Sequence, residues 1–293
     1  MANERTLKLV IPKGSLEQAT IELFHGAGWN IAVDPRSYLP SVDDPEITMA
    51  RLRAQEISRY VEDGTFDVGL TGKDWILEND SDVVVIDDLI YSKVSRSPAR
   101  WVLAVDADSR YRVPEDLQGK RIATELVRYT RQFFAERSID VEVEFSWGST
   151  EAKVTEGVVD AIVDVTETGA TLRANGLRII HTLLTTNAQV IANREAYADP
   201  FKREKIDQIV LLLRAALEAR KMVGLKMNVP GDKLDGLVAI LPSLNAPTIS
   251  GLYKSDWFAV ESVVSEEVVR SLIPRLLKEG ATGIIEYPLN KIV

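Results

Sequence analysis

Three times before residue 180, a short apolar run ends in a small glycine-bearing loop that opens a helical stretch. The first run is 7–11, followed by Pro12, Lys13, Gly14 and Ser15, and then by Leu16, Ala19, Ile21, Leu23 and Phe24 at helical spacing. Ser15 is placed to cap that helix, and Gly26 or Gly28 to end it. The second run is 65–70, followed by Thr71, Gly72, Lys73 and Asp74 before Trp75. The third is Ala161, Ile162 and Val163, with Asp164 at the strand's end. Runs of this length between turn residues read as buried strands. Their alternation with helices predicts an α/β fold, whose strand-to-helix loops are where open sheets bind ligands.

The third loop is the most chemically committed. Thr166, Thr168, Gly169 and Thr171 put three hydroxyls and a glycine into six residues, and residues 172–177 read as a short helix closed by Gly176. Backbone N–H groups and a helix start favour an anion, and Gly169 lets the backbone approach a phosphate. Asp164 can accept hydrogen bonds from a sugar diol, so the stretch reads as a phosphoribosyl site. The other two loops are less specific. Lys13 and Gly14 fit an ordinary turn equally well, and residues 71–74 a plain connection, although two such loops in one domain favour a shared anion pocket.

Further strands are expected at 47–52, 83–90, 99–105, 120–124, 141–145, 177–180 and 189–192, and helices at 55–64, 125–137 and 199–220. A short helix opens at Pro114. Residues 34–45, with three prolines, read as a loop or irregular hairpin, and 91–100 as a crossover between lobes. Arg128 and Arg131, one helical turn apart, read as a solvated face. From residue 222 the order changes to strand 222–229, helix 233–241, strands 248–253 and 257–264, helix 266–279 and strand 282–287. This βαββαβ order is that of a ferredoxin-like (ACT-like) domain. By analogy of fold it suggests an amino-acid sensor, with an oligomerisation domain as the plainer reading.

At 293 residues the chain fits two or three domains. It has no cysteine and two histidines, His25 and His181, which excludes disulfides and argues against a zinc site. No apolar stretch is long enough to span a membrane, and the first residues lack the pattern of a signal peptide. A cytoplasmic protein is expected. The net charge of −9 argues against a broad nucleic-acid surface.

Glu151, Gly157 and the run from Asp160 through Asp164, Thr168, Gly169 and Thr171 to Leu172 resemble the signature of the ATP phosphoribosyltransferases, which open histidine biosynthesis. Pro12-Lys13-Gly14, Leu52-Arg53, residues 69–74 and 120–124 agree with that family in order. In the tail, Asn228-Val-Pro230 and residues 246–249 are similar to the regulatory domain of its long form. The sequence departs from the family pattern at Val159, at Ser15 in place of an arginine, and at Glu167, which adds a negative charge to the phosphate loop.

The resemblance implies a two-lobe core like the type II periplasmic binding proteins, with lobe I at 1–97 and 186–220, lobe II at 98–185 and a histidine-binding regulatory domain at 221–293. It implies a phosphoribosyl pyrophosphate site of Glu151, Asp164, Thr166, Glu167, Thr168, Gly169, Ala170, Thr171 and Leu172. Lys13, Gly14, Arg53, Thr71, Gly72 and Asp74 fall to the pyrophosphate or ATP. Asn228, Leu244, Thr248 and Gly283 fall to the inhibitor histidine. Mg2+ would be held mostly by substrate, with Glu151 as a possible protein ligand, and no residue acts as a nucleophile. The family's long form assembles as homo-oligomers, dimers and hexamers. Two rival readings share the two-lobe fold. A cytosolic solute sensor leaves the hydroxyl-rich loop unexplained. A prephenate-dehydratase-like enzyme wants Thr-Arg-Phe, where this chain has Thr130-Arg131-Gln132.

Overall fold

In the computed structural model, which describes residues 5–34, 36–91 and 98–293, the chain packs as two compact units. One comprises Met1–Glu22 and Trp29–Val210, the other Leu23–Gly28 and Leu211–Val293.

In chain order the first unit opens with β1 (Leu7–Lys13), α1 (Glu17–Ala27, its residues from Leu23 belonging to the second unit), the two-residue strands β2 (Ile31–Ala32) and β3 (Ser41–Val42), β4 (Ile47–Arg53) and α2 (Ala54–Glu62). It continues through β5 (Val68–Gly72), α3 (Lys73–Asn79), β6 (Val84–Leu89), β7 (Ala99–Asp106), β8 (Lys120–Thr124), α4 (Val127–Ala135) and β9 (Val141–Phe145). Then come α5 (Thr150–Thr155), β10 (Ala161–Thr166), α6 (Ala170–Ala174), β11 (Leu177–Thr186), β12 (Ala188–Ala192), α7 (Arg194–Ala198) and α8 (Pro200–Ala219), whose residues from Leu211 belong to the second unit. A one-turn 3-10 helix spans Pro114–Leu117.

Two five-stranded sheets result, ordered β4-β1-β5-β12-β6 and β11-β7-β10-β8-β9. This is the two-lobe layout expected of a type II periplasmic-binding-protein-like core. Strands β1, β4 and β5 run parallel, as do β8, β9 and β10. Each sheet also holds a strand antiparallel to both its neighbours. β7 pairs with β10 and β11, and β12 pairs with β5 and β6. The expected crossover at 91–100 lies largely outside the described residues, which resume at Pro98.

The central strands are apolar because both faces are covered. β5 and β12 are buried at every position. Helix α2 sits close on the first sheet through Ile57 and Val61 against Val10 and Ile191. It can do so because β5 carries Gly69, where a Cβ would meet Ile57 Cγ2 at 2.7 Å and Val10 Cγ1 at 2.9 Å. Helix α8 buries Ile206, Ile209 and Val210, and its Lys202 and Lys205 reach Asp67 at 2.7 Å and Asp44 at 2.7 Å.

The second unit contains β13 (Met222–Pro230), α9 (Leu234–Ile240), β14 (Thr248–Gly251), β15 (Trp257–Ser265), α10 (Glu266–Lys278) and β16 (Thr282–Pro288). Its antiparallel sheet has the order β14-β15-β13-β16, the ferredoxin-like arrangement. Val223, Leu225, Met227 and Val229 alternate toward Leu237, Leu272 and Leu276 of the two helices.

Most departures from the sequence reading are at element ends. Helix α1 starts at Glu17 rather than Leu16, and of the two glycines expected to end it Gly28, whose φ is +108°, does so. Strand β5 runs two residues further than expected, so Thr71 and Gly72 belong to the strand and α3 follows at once. Strand β10 likewise continues through Thr166, which shortens the hydroxyl-rich loop to residues 167–169, and α6 begins at Ala170. The largest difference is β11. It runs to Thr186 by absorbing irregularities after Ile179 and Thr182, and those irregularities break the alternation that would reveal a strand in the sequence.

Candidate active site

The parallel strands of both sheets end at one cleft of about 590 Å3. In the first sheet, Lys13 and Arg53 are direct neighbours in the β1–β4 register, and Gly72 ends β5 beside them. In the second, Val163 pairs with Thr124, so Asp164 within β10 and Glu125 just past the end of β8 stand at the same level. The floor comes from the antiparallel strands. Ala99 and Trp101 begin β7, Thr186 ends β11, and Asn187 alone separates β11 from β12.

Of the expected substrate residues, Lys13, Gly14, Arg53, Gly72, Asp74, Asp164, Thr166, Glu167, Thr168 and Thr171 line this cleft. Glu167 is among them, so the added negative charge belongs to a cleft-lining residue. Thr71 is not: it is fully buried, and its hydroxyl donates to the Ala54 carbonyl at 2.7 Å. Leu172 is also core, 2% exposed and packed with Val102, Ile162 and Leu177. Gly169 and Ala170 stand behind the lining, and Glu151 lies in the first turn of α5.

The phosphate loop folds on its own hydroxyls. Gly169 N–H donates to Thr166 Oγ1 at 2.8 Å, and Ala170 N–H donates to Thr168 Oγ1 at 3.3 Å. Two of the N–H groups expected to face an anion are therefore occupied, and a bound phosphate would take over from the hydroxyls. The turn needs glycine at 169. Its φ is +72°, and a Cβ would lie 3.1 Å from Ile179 Cδ1 and 3.0 Å from Arg173 Nη1.

Asp164 is largely enclosed. Burial pushes its carboxyl up to about 6, the hydrogen bond from Val165 N–H at 2.7 Å opposes this, and repulsion from Glu151 and Glu125 adds to it. A carboxylate held in this state gains from any ligand that offers it hydroxyl donors or a cation.

Asp74 differs from the expected nucleotide contact. It is 6% exposed, with Oδ2 accepting from Trp101 Nε1 at 2.7 Å and Oδ1 from Thr186 Oγ1 at 3.1 Å. Its own N–H reaches Thr186 Oγ1 at 3.2 Å, and Trp75 and Trp101 meet edge to face at 6.0 Å. The carboxylate thus joins the start of α3 to both floor strands of the second sheet. Burial raises its pKa against those two hydrogen bonds. Gly72 is required here, because a Cβ would overlap the Asp74 carboxylate.

Sequence reasoning missed Trp101, Glu125, Thr186 and Asn187. Glu125 had a usable signal, since it follows directly on a parallel strand. Thr186 and Asn187 had none, because β11 was expected to end at Ile180. Arg128 and Arg131 stay out of the cleft. The first pairs with Asp80 at 2.6 Å, and the second donates to the Val143 carbonyl at 2.9 Å, which gives the Thr130-Arg131 pair a structural task.

In the second unit, Asn228 of β13 pairs with Thr282, and Gly283, with φ +57°, sits 3.9 Å from its Nδ2 when a Cβ is built. Thr248 begins the edge strand β14, with β15 between it and β13, and Leu244 is 54% exposed in the preceding loop.

Among the described residues no group of three or more histidine and carboxylate side chains is arranged to hold a metal ion, and no helix is long and apolar enough to cross a membrane. The cleft instead offers separate hard oxygen donors, Asp164 and Glu125, which fit a magnesium ion carried chiefly by the oxygens of its substrate.

The sequence model of the ATP phosphoribosyltransferase family (HisG) matches residues 53–215, and that of the HisG C-terminal domain matches 219–291. An ATP phosphoribosyltransferase of Solidesulfovibrio magneticus is 62% identical over 293 residues, all of both chains. One of Desulfatibacillum aliphaticivorans is 63% identical over 288 residues, 98% of this chain and 99% of its own. Among solved structures, the ATP phosphoribosyl transferase (HisG:HisZ) complex from Thermotoga maritima has a chain that superimposes with a TM-score of 0.63 at 29% identity, covering 73% of this chain and 99% of that one.

Proposed function

As the chain belongs to the ATP phosphoribosyltransferase family, in the long form that carries a C-terminal domain, we propose that its cleft joins ATP to phosphoribosyl pyrophosphate in the first step of histidine biosynthesis. N1 of the adenine attacks C1 of the ribose. The N1–C1 bond forms, the C1–O bond breaks with its electron pair leaving on pyrophosphate, and N1-(5-phosphoribosyl)-ATP results. No protein nucleophile is needed, so catalysis rests on position and electrostatics.

The observation that carries this reading is the meeting, across one cleft, of the Asp164–Thr171 wall with Lys13, Gly14 and Arg53. Asp164 accepts from the ribose hydroxyls. The hydroxyls of Thr166, Thr168 and Thr171 and the N–H groups of residues 168–171 hold the 5′-phosphate. Lys13 and Arg53, on the opposite wall, take the departing pyrophosphate. Glu151 keeps Asp164 electrostatically primed from behind the wall. Leu172, Ala170 and Thr71 shape these elements from within, and Asp74 holds the floor. Magnesium on the pyrophosphate, with Asp164 and Glu125 as nearby oxygen donors, would neutralise charge on the leaving group.

Lobe I at 1–97 and 186–220, lobe II at 98–185 and a regulatory domain at 221–293 complete the proposal. Histidine binds the last of these through Asn228, Gly283, Thr248 and Leu244 and lowers activity. The enzyme works in the cytoplasm as a homo-oligomer, a dimer or hexamer, with its regulatory domain in the same chain. A solute sensor or a prephenate-dehydratase-like enzyme would leave the Thr166–Thr171 wall without a task.

The decisive experiment mixes the protein with ATP, phosphoribosyl pyrophosphate and Mg2+ and follows phosphoribosyl-ATP and pyrophosphate by mass spectrometry, with and without histidine. Formation of both products, reduced by histidine, is expected. Binding of either substrate without product would refute the assignment.

A further inference from the structure

Helix α3 follows β5 of the first sheet, yet its side chains divide between the two sheets. Ile76 packs against the cluster of Val10, Ile57 and Ile191, while Trp75 and Leu77 pack against the core of the second sheet, which holds Trp101, Phe133 and Phe134. The far end of α3 is fixed to α2. Asn79 Nδ2 donates to the Gln55 carbonyl at 2.8 Å, and Ser81 Oγ donates to Ser58 Oγ at 3.0 Å.

The helix is fastened to the second sheet at two places one turn apart, by different chemistry. The first is the buried Asp74 carboxylate on Trp101 and Thr186, beside which Lys73 N–H donates to the Asn187 carbonyl at 3.0 Å. Separating these groups strands buried polar atoms, which is costly. The second fastening faces water. Glu78 accepts from Arg128 N–H at 2.8 Å and Tyr129 N–H at 2.9 Å. The Arg128 guanidinium donates to the Leu77 carbonyl at 2.8 Å and pairs with Asp80 at 2.6 Å. Helix α4 has no cap of its own, since Leu126 stands at its N-cap and its first turn holds no acidic residue. A carboxylate from the other sheet supplies the cap, and α3 receives an arginine at its C-terminal end in return. Both charges lie where the helix dipoles favour them. Asp80 is 74% exposed and Arg128 46%, so water replaces each partner when they separate.

We propose that this exchange between α3 and α4 is a clasp on the cleft. Closed, it holds the two walls at the spacing at which Gln55 and Glu125, both in the cleft lining, meet at 3.4 Å. Released, it lets the walls part about the buried Asp74 end, which stays joined, so that substrates enter and products leave. Glu78 and Arg128 are positioning residues that touch no substrate. The kinetic consequence rests on the proposed reaction, whereas the clasp itself is measurable without turnover.

The test uses a chain that has no cysteine of its own. Spin labels go on Thr48→Cys in β4 and Gln132→Cys in α4, both exposed positions on different sheets. Pulsed electron paramagnetic resonance then reads their separation with the clasp intact and with Glu78→Ala or Arg128→Met added. One narrow distance is expected with the clasp intact. A second distance is expected in each variant, suppressed when phosphoribosyl pyrophosphate and Mg2+ bind. In unlabelled protein, a variant that leaves about a tenth of the molecules closed raises KM for ATP and for phosphoribosyl pyrophosphate alike, each about tenfold, with kcat within about twofold because saturating substrates restore the closed form. A residue that contacts one substrate moves one KM only, and damage to α4 lowers kcat. Where circular dichroism shows that Glu78→Ala has lost helix, Arg128→Met, which leaves both N–H groups capped, carries the test. Wild-type distances in both variants, or a rise in only one KM, overturn the clasp. If the wild type forms no phosphoribosyl-ATP while the variants show the second distance, the clasp stands and the proposed reaction falls.

Discussion

Replacing Asp164 by asparagine is expected to strengthen the fold and weaken the site. The carboxyl ionises near its ordinary 3.8 in the unfolded chain and near about 6 in the folded one. Between those values the native protein keeps a proton that the unfolded chain has released, so stability falls as pH rises through the window. The loss is complete once the pH passes about 6.5. The gap between 3.8 and about 6, at ~1.4 kcal/mol for each pH unit, amounts to about 3 kcal/mol. Asparagine has no charge to bury, and its amide oxygen can still accept from Val165 N–H. Urea denaturation of both proteins at pH 4 and pH 7.5 reads the effect directly. The variant is expected to gain on the wild type by about 2–3 kcal/mol between the two pH values.

Binding moves the other way. Two hydroxyl donors to an ionised carboxylate become donors to a neutral amide, a loss of about 1.5–3 kcal/mol, or roughly 10- to 100-fold in affinity for phosphoribosyl pyrophosphate. Calorimetry near pH 6, in buffers of different ionisation enthalpy, is expected to show wild-type binding releasing a fraction of a proton, and the variant none. A variant that is no more stable than the wild type at pH 7.5 relative to pH 4, or that binds phosphoribosyl pyrophosphate unchanged, refutes the role of Asp164 as a buried, ligand-rewarded charge.

Three other substitutions test other parts of the structure. Gly72→Ala forces the Asp74 carboxylate off Trp101 and Thr186, and a loss of about 2–3 kcal/mol in urea unfolding is expected; a change under ~0.5 kcal/mol would show that the carboxylate relocates freely. Gly169→Ala places a side chain at φ +72°, and about 1 kcal/mol of strain together with a raised KM for phosphoribosyl pyrophosphate is expected, read by thermal melting and kinetics. Asn228→Ala is expected to raise the histidine concentration for half-inhibition about tenfold, as loss of one hydrogen bond to a charged ligand does; unchanged inhibition removes Asn228 from the effector site.

The sheets were legible because their strands are short, apolar and followed by turn residues, and the ferredoxin-like order could be read from the succession of elements alone. The phosphate loop was legible because three threonines and a glycine have no packing reason to cluster on a surface. Tertiary contacts were not. Thr71 looks like a loop hydroxyl in sequence and is a core residue, because β5 does not stop where its apolar run stops. Asp74 looks like a ligand, and its partners Trp101 and Thr186 lie 27 and 112 residues away, beyond any local pattern. The end of β11 was hidden by its irregularities, and with it the cleft floor.

Thr186 pairs with Ala99 in the second sheet, and two residues later Ala188 pairs with Leu89 in the first, so the chain returns from one sheet to the other across Asn187 alone. A link of one residue offers few backbone dihedrals about which the two sheets could turn. Thr186, Asn187 and Ala188 also line the cleft, so the place where the sheets are tied together is itself part of the surface a substrate would touch.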